Sequence, residues 1–187
     1  MAVPSIYHRS RAGSKERTCF VFGNHISWID FIFLQWTTSR AICFVMHAEY
    51  YDWPVLRSIL KSLNVINIKP ANSRGALKNI ITALNNNKAV CLFPKGGIST
   101  NGELAPLMRG FEKILAKTCT DVTVVPFAIK NMWGDILSLA PKEVRKQQKY
   151  TFRRCVSLSF GLRLGSNATR AEVERSISQM LSQSNFS

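Results

Sequence analysis

Apolar residues along the chain fall into short continuous runs separated by stretches with helical spacing. Thr18–Phe22, Ala41–Met46, Asn64–Ile68, Ala89–Phe93 and Val122–Ile129 are runs of the kind expected of buried strands. Pro126 places an edge or a bulge in the last of them. Between these runs the period changes. The segment from Phe31 to Arg40 is long enough for about three helical turns, with Ser27 as its expected N-cap. Val55, Leu56, Ile59, Leu60 and Leu63 follow Trp53-Pro54 at helical spacing. Ser73 is placed to cap a helix whose inner face is Leu77, Ile80, Ile81 and Leu84. Phe111, Ile114 and Leu115 mark another helix. Thr169 and Glu172 form a capping box ahead of Val173, Ile177, Met180 and Leu181. Val156, Leu158, Phe160, Leu162 and Leu164 alternate with polar residues, as in a half-exposed strand. Strands alternating with helices predict an α/β layered fold.

Composition sets the scale. Of 187 residues 46% are hydrophobic, which is enough for a core. Residues 18–187 read as one domain after a basic, irregular lead-in over 1–17. The five cysteines, Cys19, Cys43, Cys91, Cys119 and Cys155, form no closely spaced pair. They read as reduced thiols, all but Cys119 inside apolar runs and therefore expected to be buried. No Cys/His cluster has zinc-ligand spacing, so no metal is expected. No run reaches the roughly 18–20 apolar residues of a membrane span, and the polar start lacks a signal-peptide core.

Charge changes the picture more. Lys and Arg number 25 against 11 Asp and Glu, for a formal +14. Such a balance attracts polyanions, whether nucleic acid, an anionic membrane or an acidic carrier. The stretch of Lys142, Arg145, Lys146, Lys149, Arg153 and Arg154 is either a solvated face or a contact for anionic lipid or an acidic carrier. Nothing pairs cations with base-reading or stacking residues, so nucleic acid is not the expected partner.

Two loops follow strands and carry candidate chemistry. In the first, His25 and Asp30 would stand about 140° apart on a single helix. They meet only if His25 lies in the loop and Asp30 in the first helical turn. Asp30 would then orient one imidazole nitrogen and leave the other as a general base. A polar loop that merely caps a helix has the same composition. In the second, Phe93-Pro94-Lys95-Gly96-Gly97-Ile98-Ser99, the glycines allow close backbone approach, and Lys95 with neighbouring N–H groups suits a phosphate. Any tight turn also uses glycines.

Asn24-His25-x-Ser27-x-x-Asp30 followed by a strand-borne Phe-Pro-x-Gly-x-x-Ser resembles the glycerolipid acyltransferase family, of the lysophosphatidic-acid type. Ile66-Asn67-Ile68-Lys69, Leu107-Met108-Arg109-Gly110-Phe111 and Val125-Pro126 fall in the family's order, from about residue 18 to residue 165. Within that family the chain resembles the acyltransferase domain of bacterial acyl-carrier-protein–phospholipid acyltransferases. The resemblance implies a mixed, largely parallel sheet flanked by helices. It implies acyl transfer from an acyl carrier protein or coenzyme A thioester to the hydroxyl of a lysophospholipid or glycerol phosphate. His25 would be the base and Asp30 its orienting partner. Lys69, Lys95, Gly96, Gly97, Ser99 and Arg109 would hold the acceptor and its phosphate. It implies no cofactor beyond the thioester, and a cytoplasmic protein peripheral at the inner membrane face.

The second loop departs from the family's Phe-Pro-Glu-Gly-Thr-Arg-Ser. Lys95 replaces Glu, Gly97 replaces Thr, and Ile98 replaces the Arg that would fork onto a phosphate. Lys95 either substitutes as a point charge or leaves a catalytically impaired lipid- or carrier-binding relative. Among other residues, His47 reads as a satisfied polar group. Trp28, Phe31, Phe33 and Trp36 read as core, with an acyl groove as the alternative. Tyr50, Tyr51 and Trp53 suit local packing or a membrane interface.

Overall fold

The computed structural model describes residues 17–47, 63–68, 73–93, 96–104, 106–107, 110–148 and 155–183. Six strands form one sheet: β1 (Thr18–Gly23), β2 (Ile42–His47), β3 (Val65–Ile68), β4 (Ala89–Leu92), β5 (Val122–Lys130) and β6 (Ser157–Phe160). Their order is β3-β2-β4-β1-β5-β6, parallel throughout except for antiparallel β6. This is the mixed, largely parallel sheet expected, with each expected run matched to within a residue or so. The helices are α1 (Asp30–Trp36), α2 (Ser73–Asn85), α3 (Gly110–Lys117), α4 (Lys142–Gln148) and α5 (Arg170–Ser182). The helix expected around residues 53–63 lies largely outside the described residues.

Side-chain alternation splits the core into two layers. Phe20, Phe22, Val90 and Val124 meet α2, α3 and α5 through Leu84, Phe111 and Ile177. Cys19, Val21, Cys91 and Phe127 meet α1 through Phe31 and Leu34 on the opposite face. Because β1 is buried on both faces, its sequence is apolar without alternation. The chain leaves β1 toward β2 on one side and crosses from β4 to β5 on the other. The loops after β1 and β4 therefore emerge beside each other at the carboxyl edge of the sheet, where such folds bind ligands.

Several details differ from expectation. α1 has two turns, not three. Thr37 and Thr38 turn their hydroxyls back onto the Leu34 carbonyl. Gln35 donates to the Arg40 carbonyl and accepts from Ile42 N–H, which bends the chain into β2. Trp36, expected in the core, is exposed. Cys155, expected to be buried, is exposed along with Cys119. The expected strand over 156–164 is regular only through Phe160 and touches β5 once more at Leu164. Between the pairs Phe127–Phe160 and Val124–Leu164, β5 supplies Val125 and Pro126, whereas the other strand supplies Gly161, Leu162 and Arg163. That bulge faces Pro126, whose carbonyl accepts from Gly161 N–H, so a proline sits inside the sheet at no ladder cost. Leu162 consequently points to solvent. α4 was not expected from the pattern. The capping box at Thr169 and Glu172 is formed.

Candidate active site

The first loop curls around one carboxylate. Asp30 opens α1, is fully buried, and its Oδ2 accepts from Ile26 N–H at 2.7 Å and Ser27 N–H at 3.0 Å. His25 Nδ1 lies 2.8 Å from the same oxygen. A carboxylate oxygen in that position makes Nδ1 a protonated nitrogen, so in the neutral ring the lone pair is on Nε2. The five-residue separation is bridged because His25 sits in the loop while Asp30 sits in the helix. Ser27 is not the N-cap. That position is Ile29, with no side-chain cap, and the Ser27 hydroxyl donates to the Leu137 carbonyl at 3.2 Å.

Two residues that the motif reading left without a role fix this loop. Asn24 continues β1 with its side chain: its amide donates to the Ile129 carbonyl and its oxygen accepts from Ile129 N–H, both at 2.8 Å. Phe93, at the end of β4, stacks on the His25 ring with centroids 4.1 Å apart and planes 20° apart. Asn24 was visible as the first residue of the motif, but its partner is far along the chain. Phe93 was visible as the first residue of the second motif, but its stacking on His25 was not.

The second loop joins the first directly, since Ser99 N–H donates to the His25 carbonyl at 2.7 Å. Gly96 N–H donates to the Phe93 carbonyl, and Gly96 has φ +72°, which favours glycine. A Cβ added at Gly96 or Gly97 would meet no atom within 4 Å, so this stretch leaves open space for a ligand. Ser99 is not turned toward such a ligand, contrary to expectation. It is buried, its hydroxyl accepts from Gly102 N–H, and its proton goes to Asn101 Oδ1 at 2.9 Å or the Glu103 carbonyl at 3.0 Å. Ile98 is also buried. Lys69, Lys95 and Arg109 lie outside the described residues.

An apolar cleft, open to solvent at its mouth, runs across the carboxyl ends of the strands. His25, Trp28 and Phe31 line it from the first loop and α1. Val45, Met46 and His47 line it from β2, Ile68 from β3, and Leu92 with Phe93 from β4, and Gly96 and Gly97 border it. Trp28 and Phe31 thus have the groove position that was the alternative to core, although Phe31 is buried as well. The arrangement offers a histidine with a free Nε2 lone pair at the wall of an apolar slot. Burial pushes the Cys91 thiol well up, reinforced by Cys19 and Asp30, and burial also raises Cys43 against the opposing charges of Lys88 and Arg40. Neither thiol is a thiolate nucleophile. Among the described residues no His/Cys/Asp/Glu group could hold a metal ion.

The chain belongs to the Acyltransferase family, whose sequence model matches residues 6–130. It is 27% identical over 119 residues to the chloroplastic 1-acyl-sn-glycerol-3-phosphate acyltransferase BAT2 of Brassica napus, covering 62% of this chain and 34% of that protein. It is 28% identical over 102 residues to a 1-acyl-sn-glycerol-3-phosphate acyltransferase of Limnanthes douglasii, covering 52% of this chain and 36% of that protein. The chain therefore spans about a third of the length of these relatives. The crystal structure of the 1-acyl-sn-glycerophosphate acyltransferase PlsC from Thermotoga maritima superposes with a TM-score of 0.67 at 19% identity, over 92% of this chain and 70% of that one. At that identity the likeness is one of fold.

Proposed function

We propose that the chain transfers a fatty acyl group from a thioester, carried by coenzyme A or an acyl carrier protein, to the hydroxyl of a lysophospholipid or glycerol phosphate. The acceptor oxygen attacks the thioester carbonyl while its proton passes to His25 Nε2. The thiolate leaves as the carbonyl re-forms and takes the proton from the imidazolium. Asp30 holds Nδ1–H and stabilises the transient cation. General-base assistance of this kind contributes about 10²–10⁴-fold. The apolar cleft is suited to the acyl chain. Gly96 and Gly97, with Lys69, Lys95 and Arg109, are the candidates for the acceptor phosphate, and the net charge of +14 suits an anionic membrane face.

The observation that carries this reading is the 2.8 Å His25–Asp30 contact at the wall of an apolar cleft. The test is acyl transfer with panels of thioester donors and lysolipid acceptors, read by mass spectrometry. His25→Ala should lose about 10²-fold or more of the turnover, and a variant as fast as the unaltered chain would remove the mechanism. A second reading, a lipid- or carrier-binding relative without turnover, is favoured by Ile98, which is buried where the family pattern has a charged Arg. Turnover by the unaltered chain eliminates it.

A further inference from the structure

Surface loops ordinarily turn polar side chains outward. The segment between β5 and α4 does the reverse. Ser138 is 1% exposed and is the hub of the loop: its Oγ donates to the Asp135 carbonyl and accepts from Gly134 and Ala140 N–H. Asp135 Oδ1 accepts from Leu137 N–H. Met132 and Ala140 anchor the two ends in the interior. With its polar groups engaged internally, the loop holds Ile136, Leu137 and Leu139 outward at 64%, 39% and 42% exposure. Of the five strongly exposed large hydrophobic side chains among the described residues, three fall within these four positions. α4 follows, with Lys142 and Lys146 exposed one turn apart on one face and Glu143 on another. The Leu137 carbonyl accepts from Trp28 N–H and the Ser27 hydroxyl, which ties the loop to the His25 loop.

We propose that this loop and α4 form a membrane-docking edge: Ile136, Leu137 and Leu139 enter an anionic bilayer surface, and Lys142 and Lys146 meet its headgroups. The proposal rests on the reading of the His25 site as one that takes a lipid acceptor. A bilayer satisfies both halves of the edge, apolar side chains below and cations at headgroup level. An acidic carrier protein would answer the lysines but leave the three aliphatic side chains against a charged surface. Docking here would hold the His25 loop against the plane from which a lysolipid arrives.

The test is co-sedimentation with phosphatidylcholine vesicles and with vesicles containing about a third phosphatidylglycerol. Ile136→Ser with Leu139→Ser should lower partitioning on both by about tenfold or more. Lys142→Glu with Lys146→Glu should lower it by about tenfold or more on the anionic vesicles alone. Leu162→Ser, at an apolar side chain still more exposed and set in the bulge beside β5, should change nothing. Undiminished binding of the serine variant, or an equal loss from Leu162→Ser, overturns the proposal, as does binding of an acidic carrier protein that depends on the same residues without vesicle binding. Should the serine variant fail to fold, amide exchange on the unaltered chain decides: slowing at residues 136–139 by vesicles supports docking, and unchanged exchange overturns it. Transfer between water-soluble short-chain substrates separates the two readings, because it should survive the serine substitutions and fail in His25→Ala. Docking by the unaltered chain without any turnover counts against the His25 reading, and turnover with vesicle binding unchanged by the serine substitutions counts against this one.

Discussion

Asp30 Oδ2 serves three donors at once, the two backbone N–H groups of Ile26 and Ser27 and the His25 ring. The same oxygen therefore shapes the loop and aims the imidazole. These tasks separate in Asp30→Asn. The amide oxygen can still accept from the backbone donors, so the loop should persist. The negative charge that favours an imidazolium is gone. Turnover should fall by about 10²–10⁴-fold while the acceptor KM stays within a few-fold, measured by steady-state acyl transfer alongside circular dichroism. A raised KM with unchanged kcat would assign Asp30 to binding instead. Ser99 is the counter-example at this scale. Its motif position suggests a ligand contact, yet its hydroxyl is consumed by the turn through Asn101, Gly102 and Glu103.

At the scale of elements, the end of β1 is coupled to the site through a stack of rings. A Cβ at Gly23 would lie 2.3 Å from the Phe127 ring. Phe127 packs edge-on to Phe93 at 6.1 Å, and Phe93 stacks on His25. Gly23→Ala should therefore cost about 1–3 kcal/mol by overpacking, seen in urea denaturation, and should also slow turnover under conditions where the variant is fully folded. Adding Phe127→Leu should return most of the stability. If stability falls and turnover of the folded fraction does not, the rings do not set the imidazole position. β1, β4 and β5 were legible in the sequence because burial on both faces makes them nearly uninterrupted apolar runs. The end of α1 was not, because Thr37, Thr38 and Gln35 stop it through hydrogen bonds that propensity does not register. α4, Lys-Glu-Val-Arg-Lys-Gln-Gln, has one apolar residue and so no periodicity to read. The strand after Val156 was read too long because the bulge opposite Pro126 is a property of two strands. Of the site, the pairing of His25 with Asp30 was legible from spacing and resemblance, whereas Asn24 and Ile129 are joined only by the fold.

Across the whole molecule, a chain with 25 cations and 11 anions depends on where its few carboxylates stand. Glu174 and Glu112 tie the start of α5 to the rest of the fold. Glu174 Oε1 accepts from Leu107 N–H at 2.7 Å and Arg170 Nε at 2.8 Å, and Glu112 Oε1 accepts from Arg170 N–H at 2.8 Å. Burial alone would raise the Glu174 carboxyl, but the Leu107 and Arg170 hydrogen bonds and the Arg170 charge outweigh it and hold the group below its ordinary value of 4.5. A carboxyl lowered on folding adds stability that is present above about pH 4.5 and is lost as pH falls through the lowered value. Each protonation also adds to the net positive charge, so self-repulsion acts in the same direction. Urea midpoints of the unaltered chain should hold steady from neutral pH down to that point and then drop. Glu174→Gln should start lower at neutral pH and show a shallower drop, because it has no charge there to lose. Added salt should recover the part due to repulsion and leave the difference between the two proteins largely in place, since short hydrogen-bonded contacts are screened less than separated charges. Parallel acid limbs for the two proteins would show that the Leu107–Glu174–Arg170 clasp does not hold α5 in place.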